Sequence, residues 1–134
     1  MKHLKQIREW KNSNDYKLDE DNVNDINDIF LPIIDMGCEE FEIIVDKYIS
    51  QSYNVKWVFP ISFSIGGYPD KVTTESIRKH KERLIKFNTL QEETHDILER
   101  LLTIGYNIKY YAAEQGSDSR ANSIFKFEIR MTKK

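Results

Sequence analysis

The sequence predicts an α+β domain. Its expected form is a two-layer sandwich: a four-stranded antiparallel sheet made of two hairpins, a long helix between the hairpins, and N-terminal helices on the same face, in the order α-α-β-β-α-β-β. Three changes of hydrophobic period predict it. Apolar residues recur at helical spacing before Gly37, at a period of two from Phe41 to Ile65, and at helical spacing again from about Thr74 to Ile104, after which two more alternating runs follow Gly105.

The first element is a short basic helix. Leu4, Ile7 and Trp10 fall on one side of it within residues 1–13, and Asn12-Ser13-Asn14-Asp15 supplies turn formers at its end. A helix of about ten residues does not hold together alone in water, because nucleation is costly. Leu4, Ile7 and Trp10 are therefore expected to dock on the chain's own sheet, on a second copy or on a partner.

Residues 14–22 are polar and read as a linker into a core over residues 23–134. Asp21 or Asn22 would cap the next helix, whose inner face carries Val23, Ile26, Ile29 or Phe30, and Ile33. Pro32 cannot donate a backbone hydrogen bond and should kink that helix, and Gly37 should stop it.

Phe41, Ile43 and Val45 alternate with Glu42, Ile44 and Asp46 in a first strand. Val55, Trp57, Phe59, Ile61, Phe63 and Ile65 do the same in a second, with Ser50-Gln51-Ser52 joining the two as a hairpin. Pro60 implies an open edge or a bulge. Gly66-Gly67-Tyr68-Pro69-Asp70 ends the second strand.

The long helix follows, with Ile77, Leu84, Phe87, Leu90, Ile97, Leu98 and Leu101 as its stripe. Thr89 and Glu92 also fit a capping box, which marks Asn88 as the place where two helices would meet instead of one. The last hairpin pairs Tyr106, Ile108, Tyr110 and Ala112 with Phe125, Phe127, Ile129 and Met131 across a polar loop, Gln115 to Arg120. Trp57, Phe59, Phe63, Phe127 and Ile129 are the expected core between sheet and long helix.

Composition agrees with one domain. The chain has 134 residues, 40% of them hydrophobic and 12% aromatic, enough apolar material for an ordinary core. A lone cysteine, Cys38, makes no internal disulfide and no zinc site, which points to a reducing, cytoplasmic setting. The opening Met1-Lys2-His3-Leu4-Lys5 lacks the apolar run of a signal peptide, and no segment has the roughly 18–20 apolar residues of a membrane span.

The net charge of −2 is segregated along the chain. From Asp15 to Asp46 there are eleven acidic residues against Lys17 alone, a net −10; the other nineteen basic and eleven acidic residues give a net +8. Such asymmetry marks either a surface for an oppositely charged partner or an acidic helix face next to a basic one in the same fold.

No catalytic, metal-binding or cofactor-binding residue emerges. His3, His80 and His95 have no histidine partner three or four residues away and read as surface residues. Glu40, Glu42 and Asp46 with Lys47 resemble the acidic strand of metal-dependent nucleases, but such a site needs carboxylates from separate elements. Gly66-Gly67 precedes a helix, where backbone N–H groups can meet a phosphate, yet no Walker or GxGxxG pattern accompanies it and a plain turn explains it. Tyr111, with Tyr106 or Tyr110, would offer an exposed ring for stacking.

Met1 to Trp10, Val23-Asn24-Asp25-Ile26-Asn27-Asp28-Ile29-Phe30 and Asp35-Met36-Gly37 resemble the small uncharacterised proteins of large T4-like tailed phages. The resemblance covers roughly the first forty residues and carries no catalytic motif. It implies a protein that is either packaged in the virion or made early to act on host machinery. Leu18-Asp19-Glu20 also resembles the Leu-x-Glu signal at which prohead proteases of such phages cut.

Taken together, the sequence leads to a non-enzymatic protein-binding module, with partner contacts at Leu4, Ile7, Trp10, Asp25 and Asp28 and a homo-oligomer as one form of partnership. Nucleic acid and membrane are not expected partners. The alternatives are a small-ligand or nucleotide binder that counters a host defence signal through Gly66, Gly67, Arg78 and Tyr111, and a metal-dependent nuclease.

Overall fold

A computed structural model describes residues 13–61, 71–120 and 123–134, with side chains from Leu18 onward. Seven elements follow in the expected order: α1 (Ser13–Ile29), α2 (Leu31–Asp35), β1 (Glu40–Val45), β2 (Ser52–Phe59), α3 (Thr74–Thr103), β3 (Tyr106–Ser117) and β4 (Ser123–Lys133). The strands form one antiparallel sheet in the order β1-β2-β4-β3, so the two hairpins join through β2 and β4. The fold is α+β.

The first helix corrects the sequence reading. Residues 14–22, expected to be a linker, belong to α1, which begins at Ser13 and not at Asp21 or Asn22. The missed signal is polar. Asp19 and Asn22 occupy the inward stripe one turn before Val23, Ile26 and Ile29, and both are buried. They face a hydroxyl: Tyr53 donates to Asp19 Oδ1 at 2.7 Å, and the Asn22 amide donates to Tyr53 at 2.8 Å. A helix whose inner face meets a polar group there needs polar residues on the stripe, which hides it from a hydrophobic period.

Leu18-Asp19-Glu20 thus lies inside α1, with Asp19 buried, so a protease cutting there would require local unfolding. Pro32 acts as expected. It sits at the start of α2, where its missing N–H breaks no helical bond, and the chain turns at Phe30 between the two helices. Gly37 (φ +96°) and Gly105 (φ +105°) end α2 and α3 in the left-handed conformation that glycine adopts without strain.

α3 is one helix of 30 residues, without a break at Asn88. Thr73 caps it through a reciprocal pair of bonds with Ser76. Thr89 caps nothing; its hydroxyl donates to the Ile85 carbonyl within the helix. Only Leu90, Thr94, Ile97 and Leu101 are buried, so the stripe expected from Ile77 onward becomes core only in its second half.

The core lies between one face of the sheet and the helices. Of the five residues expected there, Trp57, Phe59, Phe127 and Ile129 are buried, and Phe63 lies outside the described residues. Trp57 stands directly opposite Phe127 across β2 and β4, their rings parallel with centroids 5.2 Å apart. The ring that covers Trp57 is Phe30, edge-on at 5.0 Å, so the α1–α2 junction packs on the sheet centre as well as the long helix.

β3 also departs from simple alternation. Ile108 pairs with Met131 and Tyr110 with Arg130, which leaves Lys109 as a bulge residue with no partner on β4. The extra residue reverses the facing of everything after it. Tyr111 joins the helix-covered face opposite Ile129, half-buried against the core, while Tyr110 turns outward opposite Arg130. Tyr111 is therefore not the exposed ring expected from sequence. Of the two other candidates, Tyr106 is fully buried and Tyr110 is the one that is exposed. The strand also runs on to Ser117, into the stretch read as a loop.

Candidate functional site

The described residues among those singled out by sequence lie on separate elements, Asp25 and Asp28 on α1, Arg78 on α3 and Tyr111 on β3. Leu4, Ile7, Trp10, Gly66 and Gly67 lie outside the described residues. Asp25 and Asp28 are exposed on the outer side of α1. Arg78 is exposed near the start of α3, where its guanidinium pairs with Glu75 and Glu82 on the adjacent turns. Tyr111 is on the sheet's core side. The arginine is held by its own helix, and the tyrosine by packing.

The nuclease-like residues likewise separate. Glu40 and Glu42 project from the open face of the sheet, where Glu42, Lys56 and Glu128 form a row of alternating charge across three strands. Asp46 turns back on its own backbone. Among the described residues no group of three or more His, Cys, Asp or Glu side chains is gathered closely enough to hold a metal ion. No described helix is long and apolar enough to cross a membrane.

What the structure does build is a rigid tip between β1 and β2. The Asp46 carboxylate accepts hydrogen bonds from the backbone N–H groups of Tyr48 (2.7 Å) and Ile49 (3.0 Å), and the Asp46 N–H donates to the Ser52 carbonyl at 2.9 Å. This is the Asx-turn that makes aspartate a turn residue. Gln51 then takes φ +55°, a left-handed conformation that a non-glycine residue adopts at a cost of about 1–3 kcal/mol when the surroundings enforce it. Here they do. The Gln51 carbonyl accepts from the Lys133 N–H at 2.9 Å, and its side-chain oxygen accepts from Asn22 at 3.5 Å, so both β4 and α1 hold the base of the turn.

The tip presents apolar side chains to water. Tyr48 is 85% exposed and Ile49 56% exposed, the former with the Lys47 ammonium 5.2 Å from its ring centroid. Beside Tyr48, on the open face of the sheet, a solvent-open cleft of about 370 Å³ is lined by Ile44, Asn54 and Arg130 among others. Arg130 itself stacks 4.9 Å above the outward ring of Tyr110. The result is an anchor and a neighbouring hollow with mixed polar and apolar walls. Asp46, Lys47 and Ser52 also line the hollow, and the Asp46 carboxylate is taken up by the backbone N–H groups of its own turn.

Sequence reasoning found the turn but not its role. Ser50-Gln51-Ser52 was legible as a connection, whereas Tyr48 and Ile49 were not singled out. The available signal was two large apolar residues placed just past an aspartate, outside either strand's alternation.

No protein-family model matches the chain, and no curated protein or solved structure shows significant similarity to it.

Proposed function

We propose that this chain is a non-enzymatic protein-binding module whose β1–β2 tip, Lys47 to Ile49, is its docking anchor. The observation that supports the reading is the pairing of exposure with rigidity at Tyr48 and Ile49. Leaving a large apolar side chain in water forgoes roughly 1.5–3 kcal/mol of burial, and holding Gln51 left-handed adds a further cost. A partner that buries the two side chains recovers the first term. Because the turn is already ordered, binding loses little conformational entropy. Tyrosine in particular supplies large contact area with few rotatable bonds.

In this reading the partner offers an apolar pocket with an acidic rim, the rim facing Lys47. Combined with the resemblance to small proteins of T4-like phages, the role becomes that of a virion-associated or host-directed binding protein acting in the host cytoplasm or in the particle.

The test is affinity capture from host lysate with the intact chain and with Tyr48→Ala/Ile49→Ala. A protein retained at stoichiometric amounts by the first and lost from the second, with unchanged circular dichroism, is the expected result. Equal retention by both removes the tip from the account.

A further inference from the structure

We infer that two copies of the chain pair through the free edge of β3, residues 110–116 of each running antiparallel about a twofold axis at Ala113, so that two four-stranded sheets become one. The contact lies at the other edge of the sheet from β1 and goes beyond the reading above.

β3 ends the sheet on one side, with β4 as its neighbour. Along an antiparallel strand the N–H and C=O of one residue point the same way, and those of the next residue point the opposite way. Two bonds fix which is which. The Lys133 N–H reaches the Gln51 carbonyl beside β2 (2.9 Å), and the Lys134 N–H reaches the Gly105 carbonyl just before β3 (2.8 Å). Odd positions of β4 therefore face β2, and even positions face β3. Through the register Tyr110–Arg130, Ala112–Glu128, Glu114–Lys126 and Gly116–Ile124, β3 turns its even positions toward β4. The N–H and C=O groups of Tyr111, Ala113 and Gln115 point out of the sheet, and no described residue bonds them. Such edges are normally blunted by lysine, proline, a bulge or short length. β3 has its bulge at Lys109, and the run after it, Tyr110 to Ser117, contains neither lysine nor proline and Glu114 as its one charge. Ala113 and Gln115 are exposed, so the helices leave this part of the edge open.

The strand's own sequence identifies the occupant. A twofold axis normal to the sheet keeps the helix-covered faces of both copies on one side and brings the same strand to both sides of the contact. Centred on Ala113, it uses all three outward positions of each copy, Tyr111 with the second copy's Gln115 and Ala113 with its own counterpart, for about six backbone bonds. On the open face Glu114 meets the second copy's Ala112. The Tyr110 ring crosses the second copy's Gly116, where an added Cβ would find Lys126 Cε at 3.9 Å and nothing nearer. A ring over a strand glycine shields backbone that no side chain covers. The neighbouring centres fail. An axis at Glu114 sets two carboxylates opposite one another, and one at Ala112 needs the bulge residue Lys109 to pair with Gln115. β1, the other edge, is shorter and carries Glu40 and Glu42 on the face that bears Glu114, which disfavours an open-ended stack of β1 on β3.

Hydrogen exchange reads this pairing residue by residue. The contact is at the small end of interface sizes, so association should show between about 50 and 500 µM. At about 500 µM the Tyr111, Ala113 and Gln115 amides should exchange at least twofold more slowly than at about 20 µM. Those of Ala112 and Glu114, already bonded to β4, should not change, and light scattering should give a molar mass rising toward twice that of one chain. Ala113→Pro removes an N–H that β4 does not use, so the fold should persist while association falls at least tenfold. Ala112→Glu faces the second copy's Glu114 with a like charge and should weaken association several-fold; Ala112→Lys should strengthen it. Circular dichroism checks the fold of each, and should Ala113→Pro unfold, the two Ala112 variants decide. A molar mass of one chain at about 500 µM, association that survives a folded Ala113→Pro, or the same response to both Ala112 variants overturns the proposal. So does a monomeric chain whose three outward amides are protected only in host lysate, which would give the edge to a foreign strand. Tyr48→Ala/Ile49→Ala should associate like the wild type, and Ala113→Pro should keep tip-dependent capture, so the two proposals fail separately.

Discussion

The hydroxyl of Tyr53 donates to the buried carboxylate of Asp19 at 2.7 Å and accepts from the amide of Asn22 at 2.8 Å, which ties the first turns of α1 to the centre of the sheet. Its neighbour Tyr106, 6.3 Å away between ring centroids, buries its hydroxyl with no hydrogen-bond partner among the described residues. The two tyrosines therefore respond oppositely to the same substitution. Tyr53→Phe leaves the buried Asp19 carboxylate without its donor and the Asn22 amide with only its 3.5 Å bond to Gln51, and should cost about 1–3 kcal/mol in urea unfolding. Tyr106→Phe removes only an unpaired hydroxyl and should be neutral or slightly stabilising. Equal losses would show that α1 is not anchored through Tyr53.

Alkaline pH should unfold the protein. Burial, and secondarily the Asp25 carboxylate, pushes the Tyr106 phenol up to about 12 from an ordinary value near 10. Burial and the hydrogen bond to Asp19 raise Tyr53 further, and burial raises the Cys38 thiol to about 11. In each case the folded state holds the proton more tightly than the unfolded chain. The stabilisation is complete below the unfolded values, near pH 9 for the thiol and pH 10 for the phenols, and is lost as pH rises through the folded ones. Urea midpoints should be flat from pH 7 to about 9 and fall between about 10 and 12. A midpoint that holds to pH 12 would contradict these environments.

Trp57→Ala should cost about 3–5 kcal/mol, because the indole is fully buried between the rings of Phe127 and Phe30. A loss below about 1 kcal/mol would place Trp57 on the other face of the sheet.

These core residues were legible in the sequence because bulky side chains at a period of two identify a sheet face without further help. What could not be read has a physical cause at each place. α1 begins ten residues before Val23, its first buried apolar side chain among the described residues, since Asp19 and Asn22 answer a tyrosine hydroxyl instead of a hydrocarbon surface. Tyr110 and Tyr111 exchanged faces because Lys109 adds one residue to an otherwise regular ladder. Ile77 and Leu84 were taken into the core stripe because a helical period assigns residues to a face but does not say how far along the helix that face stays covered. The tip was missed for a related reason: alternation says nothing about side chains beyond the last paired residue.

The bulge has a direct test. Deleting Lys109 leaves Ile108 opposite Met131, Tyr110 opposite Arg130 and Tyr111 opposite Ile129 in a continuous ladder, so the fold should survive with a stability change of about 1 kcal/mol or less. An unfolded deletion variant would mean that the extra residue is required by the strand's curvature.

Rigidity of the tip is separable from its side chains. Asp46→Ala removes both bonds to the Tyr48 and Ile49 N–H groups while leaving those side chains in place. It should lower partner retention several-fold with a loss in global stability of about 1 kcal/mol. Unchanged retention would show that preorganisation contributes nothing.

The most direct measurement of the binding role places a photoreactive p-benzoylphenylalanine at position 48 and irradiates cells in which the chain is made. The account expects one discrete crosslinked species larger than the chain, absent when the same group replaces the exposed Lys109. No crosslink at position 48, or the same products from both positions, would contradict a docking anchor at Tyr48.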